Sequence, residues 1–217
     1  QRQPYQRETS TDLIMVAWRA PVFDLPRVIA ETYVRRIEYH VELPSTNDFA
    51  LQLLRDAEPS DLPILVLAAR QTRGRGRGDR QWWSSEGALT FSLLTALDPR
   101  ELPLERRPLL ALAVGLAVHD ALGELLPTAV VQLKWPNDVY LNGRKVCGIL
   151  IELPARPAHL CVIGIGVNVN NSFHAAPAEI RERAISLADV TDRPAYELTD
   201  VLISIMQHFE AEMQTLV

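Results

Sequence analysis

The chain has 217 residues, 47% of them hydrophobic and 23% charged, with a formal net charge of −5. That apolar content excludes global disorder and suffices for one globular domain with at most a short appendage. The mild acidity speaks against a dedicated nucleic-acid binder, two cysteines cannot staple a disulfide scaffold, and no uncharged run approaches the ~20 residues that span a bilayer.

In chain order, residues 1–10 form a polar tail without a signal-peptide core, so the cytoplasm is the expected compartment and no membrane association is expected. Leu13–Trp18 is a short apolar run that predicts a strand, before a stretch punctuated by Pro21 and Pro26. Ile37, Tyr39, Val41 and Leu43 alternate with polar neighbours and predict a strand over Arg36–Leu43. Pro44 ends it. Ser45-Thr46-Asn47-Asp48 then has the form of a capping box ahead of a helix that places Phe49, Leu53, Leu54 and Ala57 on one face. Strands are predicted at Pro63–Ala69 and Ala88–Ala96, on either side of an arginine-glycine loop over Arg70–Arg80. A long helix over Leu104–Leu126, with Pro108 tolerated only near its start, precedes strands at Ala129–Trp135, Val139–Leu141, Arg144–Glu152 and Leu160–Val169. The remainder reads as helical, with Val201, Leu202, Ile205, Met206, Phe209 and Met213 in one apolar stripe. Adjacent strands with helices around them imply an α+β domain on a mixed β-sheet flanked by helices.

Three stretches carry candidate chemistry. In Gln71-Thr72-Arg73-Gly74-Arg75-Gly76-Arg77-Gly78-Asp79-Arg80, the glycines let backbone N–H groups approach an anion and the arginines offer forked donors. No Gly-Lys-Ser/Thr follows, so it is not a Walker loop. A solvated basic loop and an RNA-binding arginine-glycine segment remain alternatives to an anion cradle. In Lys134-Trp135-Pro136-Asn137-Asp138 and Asn142-Gly143-Arg144-Lys145, the Asn-Gly pair predicts a two-residue hairpin. That turn sets Leu141 opposite Arg144, Tyr140 opposite Lys145 and Asp138 opposite Cys147, with Lys145 and Asp138 on one face. A lysine in an apolar strand either meets an anion or lies on an edge facing water. In Ile163-Gly164-Ile165-Gly166-Val167-Asn168-Val169-Asn170, Gly164, Gly166, Asn168 and Asn170 share a face. Glycines there signal close approach of either a ligand or a helix, and Asn168 can both donate to and accept from a polar ring edge. The histidines are scattered and the cysteines lie in apolar runs, so a metal held mainly by protein ligands is not expected.

In their order these motifs resemble the biotin–protein ligases, which share a fold with lipoate and octanoyl ligases; the resemblance runs from about Ile37 to Leu216. It implies the biotin/lipoate protein ligase catalytic-domain fold, similar to that of class II aminoacyl-tRNA synthetases. It divides the chain into an N-terminal extension over 1–35, too short for a winged-helix DNA reader, and a catalytic domain over 36–217 without the small C-terminal barrel of other members. The implied activity is ATP-dependent formation of biotinoyl-AMP with release of pyrophosphate. Transfer to a lysine of a biotin carboxyl carrier protein then forms a C–N bond.

By the same resemblance, Ser45, Thr46, Asn47 and Gln71 would line the biotin pocket. Gly74, Arg75, Gly76 and Arg77 would close over biotin and the adenylate. Lys145 would sit where acid and nucleotide meet, with Lys134 as a further cation. Asn137 and Asp138 would lie nearest the phosphates and Mg²⁺, and Asp138 is a candidate to accept the carrier lysine's proton. Trp82 and Asn168 would contact the adenine, and Gly148 and Gly166 would leave room for the ligand. Two departures stand out: Arg73 replaces a small residue, and Gly78-Asp79 replaces a further Arg-Gly, which implies a weaker hold on the adenylate. DNA binding is not expected, and dimerisation through a sheet edge, known in some members, is left open. The rival readings are a lipoate or octanoate ligase, a non-catalytic biotin- or nucleotide-binding relative, and an RNA-binding module.

Overall fold

The computed structural model describes residues 22–216 except 101, 156, 158 and 194. The strand expected at Leu13–Trp18 lies outside the described residues. The helices are α1 (Leu25–Glu31), α2 (Thr46–Leu53), α3 (Leu110–Leu125), α4 (Ala178–Arg183) and α5 (Leu198–Leu216). The strands are β1 (Arg36–Leu43), β2 (Ile64–Gln71), β3 (Leu89–Ala96), β4 (Val131–Lys134), β5 (Asp138–Leu141), β6 (Arg144–Glu152) and β7 (Leu160–Val167).

All seven strands join one sheet in the order β1-β2-β3-β7-β6-β5-β4. Only β1 and β2 run parallel, and α2 supplies the crossover that a parallel pair requires. Every other neighbour pair is antiparallel, so the sheet is mixed, as the strand spacing implied.

The strand β7 is central and buried along its whole length, and its period-two alternation divides the core. Cys161, Ile163, Ile165 and Val167 join the large cluster formed with α3 and α5, which includes Val114, Val118, Leu122, Leu202, Met206 and Phe209. Leu160 and Val162 face the other way, into a smaller cluster with Ile64, Val66, Ala68 and Leu94 that α2 covers through Ala50. Beyond them on that face come Gly164 and Gly166, where apolar cover gives way to the cleft. Residues 22–35, counted above with the N-terminal extension, pack into the main cluster through Phe23, Val28 and Val34.

Three details differ from the sequence reading. The helix expected from Leu104 begins as a 3-10 turn over Leu104–Leu109 with Pro108 inside, because proline lacks the N–H that an α-helical bond needs. The continuous stretch Glu105–Leu125 is long and apolar enough to cross a membrane by length and composition, although no uncharged run of that length exists. Its buried face, including Ala113, Val114, Ala117 and Ala121, packs as a core helix. The segment after β7, expected to be helical, is mostly irregular between Asn168 and Glu197, with only the six-residue α4 and a 3-10 turn at Ala188–Val190 before α5. Its backbone groups are spent on long-range bonds: Leu187 and Ala188 donate to the carbonyls of Asn168 and Val169.

The hairpin register is partly as expected. Asn142 and Gly143 have φ of 50° and 79°, which fits the left-handed pair of a type I′ turn, and Tyr140 faces Lys145. A bulge then intervenes, so Asp138 faces Gly148 rather than Cys147. Val146 is the unmatched residue, and its carbonyl accepts instead from the Asn168 N–H.

Candidate active site

The cleft lies above the bare glycines of β6 and β7, between the start of α2 and the arginine-glycine loop. Ser45 is the N-cap of α2, and its side chain accepts from the Asp48 N–H. The reciprocal half of the capping box is not made, because Asp48 instead receives Arg75 Nη1 at 2.6 Å. Next to the cap, the Thr46 N–H donates to Gln71 Oε1 at 2.7 Å. Ser92 Oγ, fully buried on β3, lies 2.8 Å from Thr46 Oγ1 and 2.6 Å from Asn47 Oδ1. Asn47 Nδ2 donates to Glu152 Oε2 at 2.9 Å and to the Leu150 carbonyl at 3.2 Å. Each of these buried groups has a partner, as a rigid polar floor requires.

The arginine-glycine loop is a small hairpin. Arg75 bridges Gln81, the Gly76 N–H donates to the Arg80 carbonyl, and Gly78 turns the tip at φ 62°. The Trp82 N–H donates to the Gly74 carbonyl, and a Cβ on Gly74 would lie 2.7 Å from the Trp82 carbonyl oxygen, so only glycine fits there. The indole of Trp82 then lies flat over β7 and β6: a Cβ on Gly166 would come within 2.5 Å of Trp82 Cε2, and one on Gly148 within 3.1 Å of Cζ3. Asn47 covers Gly164 in the same way, its Cγ 2.8 Å from where a Cβ would stand. The glycine face therefore receives two side chains, with the cleft between and around them.

At the far end, Lys145 Nζ pairs with Asp138 Oδ1 at 2.7 Å and stands 5.8 Å from the Trp82 ring centroid. The edge-facing alternative for Lys145 is thus not what the fold presents. Arg77 Nη1 donates to Asn137 Oδ1 at 3.3 Å, while Asn137 Nδ2 donates to the Ile149 carbonyl at 2.8 Å. The buried Trp82 Nε1 has no hydrogen-bond partner, and Asp138 Oδ1 meets only the lysine ammonium.

Ser45, Thr46, Asn47, Gln71, Arg75, Gly76, Arg77, Trp82, Asn137, Asp138, Lys145, Gly148 and Gly166 all line this cleft. Gly74, Lys134 and Asn168 do not. Lys134 is exposed and reaches Tyr140, 3.0 Å from its hydroxyl and 4.6 Å from its ring centroid. Asn168 is buried, donating to the Lys145 carbonyl at 3.4 Å and accepting from Asn171 at 3.2 Å, so its amide braces the strand that carries the lysine. Ser92 and Glu152, both central to the floor, escaped the sequence reading. A serine at an inward position of the apolar strand Phe91-Ser92-Leu93-Leu94 was the signal for the first.

Among the described residues no three His, Cys, Asp or Glu side chains converge as metal ligands. The two carboxylates at the cleft and its floor, Asp138 and Glu152, each already face a cation, so these residues form no cage for a divalent ion.

The biotin/lipoate A/B protein ligase family profile matches residues 40–168, a span that holds every cleft residue named above. The chain belongs to that family. The bifunctional ligase/repressor BirA of Bacillus subtilis is 37% identical over 163 residues, covering 73% of this chain and 48% of the relative. The biotin–[acetyl-CoA-carboxylase] ligase of Paracoccus denitrificans is 32% identical over 177 residues, covering 79% and 71%. Among solved structures, the Aquifex aeolicus biotin protein ligase in complex with biotin and ATP aligns with a TM-score of 0.69 at 34% identity, over 83% of this chain and 71% of that one. The chain spans about half the length of the first of these relatives.

Proposed function

We propose that this chain is a biotin–protein ligase that activates biotin with ATP and transfers it to a lysine of a biotin carboxyl carrier protein of the acetyl-CoA carboxylase type. One observation carries the reading: a single cleft joins a polar, hydrogen-bonded floor to a cationic end formed by Lys145 and Arg77. The floor suits a small polar ring with both donors and acceptors, such as a ureido head, better than a plain fatty chain. The cationic end suits a carboxylate meeting a phosphate.

A carboxylate is a poor acyl donor. Its attack on the α-phosphate of ATP expels pyrophosphate and leaves a mixed anhydride, and the charge gathered at that centre is offset by Lys145 and Arg77. Mg²⁺, when bound, would neutralise the polyphosphate. With no protein cage among the described residues, it would be carried mainly by the nucleotide, beside Asn137 and Asp138. Trp82 lines the cleft and is the ring that would stack on the nucleotide, its Nε1 buried against Gly166. In the second step a neutral carrier lysine attacks the anhydride carbonyl and AMP leaves. In this reading Asp138, the carboxylate lining the cleft, accepts the proton. Two buried free thiols, Cys147 and Cys161, suit a reducing compartment such as the cytoplasm.

The test is intact-mass spectrometry of a carrier domain incubated with this protein, ATP, Mg²⁺ and biotin, lipoate or octanoate in turn. One added biotinoyl group is expected, and none with Lys145→Ala of unchanged fold. Labelling by lipoate or octanoate in preference would overturn the biotin assignment, and no labelling by any acid would overturn the ligase reading.

A further inference from the structure

We propose that Glu152 is a positioning residue that latches the arginine-glycine loop to the floor of the acid pocket and sets the hydrogen-bond polarity of that floor. The inference rests on the ligase reading for its substrate and on geometry for the latch itself.

Glu152 sits on β6, about one-fifth exposed, where three elements meet. It receives Arg75 in a fork, Nη2 to Oε1 at 2.7 Å and Nη1 to Oε2 at 3.0 Å. The same Oε2 accepts from Asn47 Nδ2 at 2.9 Å. A planar guanidinium held at both oxygens fixes direction as well as distance. Arg75 Nη1 also reaches Asp48, so one arginine ties the loop to α2 and β6 together.

The polarity argument follows from what each group can do. A carboxylate only accepts, so Glu152, with the Leu150 carbonyl beside it, turns the Asn47 amide nitrogen toward itself and the amide oxygen toward Ser92. That oxygen only accepts, so the single Ser92 proton is directed to it at 2.6 Å. Ser92 Oγ is then left to accept from Thr46 Oγ1 at 2.8 Å, in competition with Gln71 Oε1 at 3.2 Å for the one Thr46 proton. Gln71 keeps its oxygen on the Thr46 N–H, which leaves its Nε2 as a donor beside Gly74. One acceptor-only group at the end of the chain thus orders three side chains, Asn47, Ser92 and Thr46, while the Thr46 N–H fixes Gln71. Replacing the carboxylate by an amide keeps the volume but sets an N–H against Arg75 or against the Asn47 amide, which the Leu150 carbonyl alone then orients.

The test uses the full chain with Glu152→Gln, Glu152→Asp and a control, Glu42→Gln, which breaks the exposed pair with Arg70 away from the cleft. In ligand-free protein, tryptic cleavage between Arg73 and Arg80 should be about tenfold faster in Glu152→Gln and unchanged in the control. In biotin-dependent pyrophosphate exchange, the KM for biotin should rise about tenfold in Glu152→Gln, with KM for ATP and kcat within about threefold and Glu152→Asp in between. Loop cleavage at the wild-type rate overturns the latch. Faster cleavage with an unchanged biotin KM overturns the control of the floor. A wild type inactive in exchange refutes the ligase reading instead, and the cleavage comparison still decides whether Glu152 holds the loop.

Discussion

The substitutions Gly164→Ala and Gly166→Ala sit two residues apart on one face of β7, yet they should produce different defects. A Cβ at Gly164 would overlap Asn47 Oδ1 and lie 2.8 Å from Asn47 Cγ. Reaching an ordinary carbon contact of about 3.5 Å requires the amide to move by about 1 Å, and the buried strand cannot yield in its place. Asn47 is held by Ser92, Glu152 and the Leu150 carbonyl, so the displacement breaks hydrogen bonds in a buried network. Leaving such groups unmet costs roughly 3 kcal/mol, even after allowing for the smaller backbone entropy of alanine. For a chain of this size that corresponds to a fall in Tm of about 6–12 °C. At Gly166 the obstruction is the Trp82 indole, 2.5 Å from the Cβ position at Cε2 and 2.7 Å at Nε1. That ring is only half-buried and has no hydrogen bond at Nε1, so it can swing outward at a cost of roughly 1 kcal/mol in lost contact. The expected pattern is a large Tm loss with weakened biotin binding for Gly164→Ala. Gly166→Ala should show a small Tm loss, red-shifted tryptophan emission and weakened ATP binding. Scanning calorimetry, fluorescence and isothermal titration of each substrate read these quantities. A Tm for Gly164→Ala within 2 °C of the parent, or the same substrate losing affinity in both variants, would refute the reasoning.

The buried thiols make a further prediction. Burial pushes the Cys161 thiol up to about 12 and the Cys147 thiol higher still, so both should resist alkylation until the protein unfolds. A raised thiol pKa keeps the folded state protonated where the unfolded chain has ionised. Stability is therefore whole below about pH 8.5 and declines as pH climbs toward 12, which denaturant titrations at pH 8, 9 and 10 would show. At the hairpin, Gly143 has φ 79°, and Gly143→Ala should cost about 1 kcal/mol in urea unfolding, because an L-residue is strained there. Along the loop, Gly78-Asp79 stands where a further Arg-Gly is usual and leaves Arg77 a single 3.3 Å contact with Asn137. Released biotinoyl-AMP should be detectable by single-turnover chromatography, and its absence would contradict a weakened hold.

Much of the fold was legible because it is written in local periodicity. The apolar stripe of Val201, Leu202, Ile205, Met206 and Phe209 defines which face of its helix is buried without reference to any partner, whereas the alternation over Arg36–Leu43 named a strand but not a buried face, since Val41 is exposed. Asn142-Gly143 named its own turn, since few residue pairs tolerate two positive φ values. The pairing of Lys145 with Asp138 on one face followed from that turn.

What only the tertiary structure decided are the relations between distant segments. Val146 drops out of register with β5, while on its other side its carbonyl accepts from Asn168, just past the end of β7. The glycines of β7 are covered by Asn47 and Trp82, neither of which their own alternation could name. Glu152 joins Asn47, 105 positions earlier, to Arg75, 77 positions earlier, and nothing in its own strand marks it out. Periodicity is a property of a few consecutive residues and survives in the sequence. A hydrogen bond between side chains is a property of two places, and only folding sets them side by side.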